Sequence, residues 1–113
     1  MATRHERIAV NEALFREGNE RMRAWPERQK APPTDKLGFL CECADPDCRE
    51  HVSLTRLEYE AVRADAMHFA IVPGHERPDA ERVIERYDSY AVIEKHEDVR
   101  GIAEATDPRG GGS

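Results

Sequence analysis

Three cysteines fall within eight positions, Cys41-x-Cys43-x4-Cys48, and the chain has no others. A disulfide framework would leave one thiol over and would close only a tight loop. The thiols therefore suit a reducing compartment, which predicts a cytoplasmic protein. At 113 residues, of which 39% are apolar and 35% charged, the chain has one small core and benefits from a staple. A metal ion held by the cysteines would supply one.

Cys41 and Cys43, two residues apart, lie on one side of a strand, and the Asp45-Pro46-Asp47 turn returns Cys48 towards them. Zinc takes four thiolate or imidazole ligands, so one donor is still needed from His5, His51, His68, His75 and His96. His75 follows the stiff Pro73-Gly74 turn at the end of a predicted strand and is read as the fourth ligand. His51, three residues after Cys48, is the alternative, although it would open a strand leading away from the knuckle. The charges of Glu42, Asp45, Asp47 and Glu50 would be costly beside a dry apolar cluster, which argues against reading the cysteines as small core residues.

A Cys3His set is closed, so the zinc (Zn2+) is expected to be structural rather than catalytic. No His-x-Glu with Pro-Cys-x-x-Cys, no His-Glu-x-x-His, no phosphate-cradling glycine loop and no Gly-x-Ser-x-Gly occurs. Glu76, next to His75, would act as a base only if the metal lacked one ligand; otherwise it is solvated or pairs with an arginine. An enzyme is therefore not expected, and no catalytic residue is assigned.

Along the chain, Thr3 to Trp25 reads as one amphipathic helix, with Ile8, Val10, Leu14, Phe15, Gly18, Met22 and Trp25 on one face. Asn11 and Gly18 lie near the middle of that stripe and suit close packing. The stripe would either cover the body's own sheet or meet a partner or a second copy through Leu14, Phe15, Met22 and Trp25. Pro26 to Lys36 breaks all periodicity and reads as a linker. The division is thus residues 1 to 36 (helix and linker), 37 to 109 (zinc-binding body) and 110 to 113 (a disordered tail or cloning scar).

Within the body, strands are predicted at Leu37 to Cys43, His51 to Leu54 and Met67 to Val72, the last ended by a type II turn at Pro73-Gly74. Thr55-Arg-Leu-Glu58 is a capping box that should open a helix to about Ala64. Glu81 to Lys95 is ambiguous between helix and strand and is read as a hairpin about Tyr87 to Tyr90; Val99 to Ala105 reads as a last short helix. The fold class is α+β: a long N-terminal helix and a small zinc-stapled mixed or antiparallel sheet with one or two short helices.

Residues 1 to 36 hold 8 Lys/Arg against 6 Asp/Glu, and residues 37 to 113 hold 9 against 17. An acidic body repels phosphate backbones, so nucleic acid is disfavoured as a partner. No apolar run approaches the roughly 18 residues that cross a bilayer, so no membrane is expected.

Phe39-Leu-Cys41-Glu-Cys43-x4-Cys48, Leu57-Glu-Tyr59-Glu-Ala-Val-Arg63 and Val72-Pro-Gly-His75-Glu76 resemble a group of small uncharacterised bacterial proteins, mostly actinobacterial. Asn11-Glu-Ala-Leu-Phe15-Arg and Glu20-Arg21 resemble the same group. The resemblance implies that the three cysteines and His75 belong together and carries no activity. The sequence reading is a regulatory protein-protein interaction module. A thiol redox sensor that ejects zinc on oxidation is the alternative, and a small zinc enzyme is a third reading.

Overall fold

The computed structural model describes residues 3 to 109. It is α+β, as expected: a long first helix, two small antiparallel sheets and several short helices. Helix α1 spans Arg4–Arg23, α2 Pro26–Lys30, α3 Arg56–Arg63 and α4 Arg100–Ala105, the last preceded by a 3-10 turn at Glu97–Val99. The strands are β1 Lys36–Leu40, β2 His51–Thr55, β3 His68–Ile71, β4 Glu81–Arg86 and β5 Ala91–Lys95.

Strands β1 and β2 pair antiparallel, and the second sheet has the order β3-β5-β4. The ambiguous segment is a hairpin: β4 and β5 pair antiparallel, Tyr87 N–H donates to Tyr90 O at 2.8 Å, and the two rings stack. Past β1 the chain runs on beside β3, where Glu42 N–H donates to Ala70 O at 2.8 Å. The two sheets meet there, at the cysteine segment.

Period-two alternation places Val92 and Ala70 in one core, with Phe39, Leu54, Tyr59 and Val62, while Phe69, Ile71, Ala91 and Ile93 pack with Cys41 and Cys43. A central strand buried on both faces is written as a short apolar run, which Ala91-Val-Ile93 is. Helix α3 starts at the expected capping box: Glu58 N–H donates to the Thr55 hydroxyl and Thr55 N–H donates to the Glu58 carboxylate. The same Thr-x-x-Glu pattern caps α1 at Thr3 and Glu6, a signal the sequence reading passed over.

Helix α1 turns a different face inwards from the one the apolar pattern indicates. Val10, Leu14 and Trp25 are 46%, 61% and 53% exposed, and Phe15 and Met22 are half-buried. Of the stripe's large residues only Ile8 is fully buried, and Ala9, Glu12, Ala13, Arg16, Asn19 and Glu20 are buried with it. The polar face wins because its groups find partners. Lys95 forms ion pairs with Glu12 and Glu81, and Arg16 donates to Ala66 O (2.6 Å) and Ala103 O (2.8 Å) with its guanidinium over the Phe69 ring. Glu20 accepts from Arg63 and Arg109. Burying charge is costly, and the cost is offset here by the ion pairs of Glu12, Glu20 and Arg63 and by the backbone carbonyls that accept from Arg16.

Asn11 and Gly18 do serve close packing: Asn11 donates to Ala44 O at 3.2 Å, and a Cβ at Gly18 would lie 2.9 Å from Leu40 Cδ1. In the expected linker, Pro26–Lys30 forms α2. Proline is well suited to the first helical turn because its missing N–H has no partner to lose there. Residues 110 to 113 lie outside the described residues.

Candidate metal centre

Cys41 and Cys43 follow β1, Cys48 comes off the turn before β2, and His75 follows the turn after β3. That second turn is closed by His75 N–H donating to Val72 O at 3.0 Å, with Gly74 at φ 96°, a left-handed conformation that glycine adopts without strain. One ligand atom from each of Cys41, Cys43, Cys48 and His75 lies within 4.8 Å of every other. His51 lies outside this group, exposed and paired in register with Leu40.

The two imidazole-to-sulfur distances are close to those a tetrahedral ion would set. With Zn–S of about 2.3 Å and Zn–N of about 2.0 to 2.1 Å, sulfur and nitrogen ligands sit about 3.6 Å apart. His75 Nδ1 is 3.5 Å from Cys41 Sγ and 3.8 Å from Cys48 Sγ. The other ring nitrogen, Nε2, is 2.7 Å from the Glu50 carboxylate. A proton on Nε2 shared with Glu50 leaves the Nδ1 lone pair facing the sulfurs, the carboxylate-histidine arrangement that orients metal ligands.

Backbone amides point at the sulfurs. Val72 N–H donates to Cys41 Sγ at 3.2 Å, and the amides of Asp45 and Glu50 favour the thiolates of Cys43 and Cys48. Hydrogen bonding from Cys41 draws the Cys43 thiol down to about 5, and the same contact, with burial, pushes Cys41 up. Burial also raises Cys48. All three cysteines are free of disulfides.

Of the acidic residues near the thiols in sequence, Glu42 points the other way and is completely buried. It accepts from Asn19 Nδ2 (2.8 Å), Tyr59 OH (2.7 Å) and Ala70 N–H (3.0 Å), and burial raises its pKa. Counting Glu42 among the charges around the thiols is thus corrected: residues alternate across an extended segment, so the neighbour of two inward cysteines faces away. Glu76 pairs with Arg86 at 3.4 Å.

No protein-family model, no curated protein and no solved structure matches this chain. Among the described residues no helix is long and apolar enough to cross a membrane.

Proposed function

We propose that this protein is a small zinc-binding module of the cytoplasm that acts by binding another protein, with Cys41, Cys43, Cys48 and His75 holding one structural zinc ion. The observation that carries the zinc assignment is the convergence of three sulfurs and an imidazole nitrogen from two separated stretches of chain, at spacings that suit a tetrahedral ion. Soft thiolates with imidazole favour zinc over magnesium or calcium. The ion would neutralise the thiolates and fasten the β1–β2 unit to the turn after β3. With four protein donors no position is left for a substrate, so no catalytic role is proposed.

The interaction role draws support from α1. The helix covers the body with its polar face, which leaves Val10, Leu14 and Trp25 in solvent with Phe15 and Met22 beside them. Large apolar groups of this kind anchor protein interfaces, between unlike chains or between two copies. Elemental analysis of tag-free protein from metal-replete cells should find close to one zinc per chain. Pull-downs with intact protein and Leu14→Asp should then differ in captured partner while zinc content stays the same. Absence of zinc would overturn the metal reading, and an unchanged partner set would overturn the surface.

A redox sensor is the second reading, favoured by Cys48, which is only half-buried among reduced thiols. Its mark would be stoichiometric zinc release by peroxide, reversed by a thiol reductant.

A further inference from the structure

His5, His96 and Asp98 are brought together in a second cluster, although 91 positions separate the two histidines in the sequence. One donor atom from each lies within 4.8 Å of the others. His5 Nδ1 is 2.9 Å from Asp98 Oδ2, His96 Nδ1 is 4.0 Å from Asp98 Oδ1, and the two imidazole centroids are 5.2 Å apart. We infer that these residues form a second metal site, a two-histidine, one-carboxylate site for a borderline divalent ion such as Zn2+ or Ni2+.

The donor set suits such an ion, because imidazole favours zinc, nickel and copper, and a single carboxylate adds charge without a cage of hard oxygens. A nitrogen and an oxygen ligand on one such ion lie about 3 to 3.4 Å apart at ordinary bond lengths. The His5–Asp98 distance is already near this, and His96, at 4.0 Å from the other Asp98 oxygen, would move closer on binding. The three backbones are held in place. The Thr3–Glu6 capping box fixes the first turn of α1 around His5, His96 N–H donates to Ala80 O at 3.2 Å, and Val99 N–H donates to His96 O at 3.2 Å.

A comparison within the molecule sharpens the assignment. Asp65, His68 and Glu94 are also clustered, but Glu94 accepts two hydrogen bonds from Arg82, at 2.8 and 3.1 Å. A guanidinium already neutralises that carboxylate. At the first cluster Asp98 makes its ion pairs with the two imidazoles, and no arginine hydrogen bond to it is found among the described residues, although Lys95 lies within electrostatic range. Unlike the thiol centre, the site supplies three ligands and is partly exposed, so the bound ion keeps positions for water or for a donor from another molecule. It would also clamp the start of α1 to the turn before α4.

The test uses tag-free, full-length protein whose thiol centre is kept loaded with zinc. Titration with Ni2+ should show one additional saturable equivalent, and paramagnetic broadening of amide signals should centre on residues 4 to 7 and 96 to 98. Loss of an outer-shell partner alone weakens metal sites by about 10- to 100-fold, so His5→Ala and His96→Ala should each weaken binding by at least that. His68→Ala should leave it unchanged. Should an alanine variant fold poorly, the glutamine variants His5→Gln and His96→Gln serve instead. No extra equivalent, broadening centred on residues 65, 68 and 94, or undiminished binding in the double variant would overturn the site. The thiol centre is scored separately, by zinc content.

Discussion

The Asn19 carboxamide pairs with the Leu40 backbone in both directions: Nδ2 donates to Leu40 O at 3.0 Å, and Oδ1 accepts from Leu40 N–H at 2.7 Å. A side chain of α1 thus does for the outer edge of β1 what a neighbouring strand would do. The same Nδ2 also reaches the buried carboxylate of Glu42. Asn19→Leu keeps the volume and removes all three bonds. Each stranded group costs about 1 to 3 kcal/mol, so the loss should be about 3 kcal/mol or more, read as a lower urea midpoint of the metal-loaded protein.

If the thiol centre holds the proposed zinc, removing the ion should unfasten the joint between the two sheets. Structural zinc carries about 10 to 16 kcal/mol of apparent binding free energy, more than the usual stability of a small domain. A strong chelator should therefore collapse the near-ultraviolet dichroism of the folded body, and Cys43→Ser should do the same without chelator. Retention of the native spectrum with zinc fully removed would show that the fold does not depend on the ion.

Glu81 gives a pH signature. Burial raises its pKa to about 7 from the ordinary 4.5, so the folded state holds this proton more tightly than the unfolded state does. Its stabilising contribution is present below about 4.5 and is lost as pH rises through about 7. Glu81→Gln imitates the protonated form but removes the carboxylate partner of Lys95, so its denaturant midpoint should be lower overall and should lack the parent protein's fall through this window. Lys95, lowered to about 7 by burial, acts in the opposite sense above neutrality. Denaturant midpoints of both proteins at several pH values would check the divergence; parallel curves would contradict it.

Leu14 and Ala13 are adjacent in sequence but lie on opposite sides of the fold boundary, the first exposed and the second buried. Leu14→Asp should shift stability by no more than about 0.5 kcal/mol, as exposed substitutions do. Ala13→Asp places an unpaired charge under the helix and should cost about 3 kcal/mol or more. Thermal melts of the two variants distinguish this arrangement from one in which the apolar stripe is the buried face.

Much of the body was legible because its signals are local. The Thr55–Glu58 capping box, the Pro73-Gly74 turn and the Tyr87–Tyr90 hairpin each lie within a few residues of chain, and the structure contains all of them. The convergence of the three cysteines and His75 was also legible, since their chemistry gives them few other uses. The inward face of α1 was not. Hydropathy counts Glu12, Arg16, Asn19 and Glu20 as solvent-facing, and only their distant partners, Lys95, Ala103, Glu42 and Arg63, make burial affordable. Glu42 failed for the same reason, because nothing near it in sequence announces Tyr59 or Asn19.

The polar underside of α1 also sets a timetable. The helix is synthesised before the body it covers, and Arg16 finds its Ala103 carbonyl 87 residues later. At about 5 to 20 residues per second the helix waits roughly 4 to 17 s for that acceptor. Until then it is an isolated segment of marginal stability, showing solvent its charges and its apolar stripe alike. The nascent chain is thus open to capture by chaperones, or by a second copy, until α4 is made.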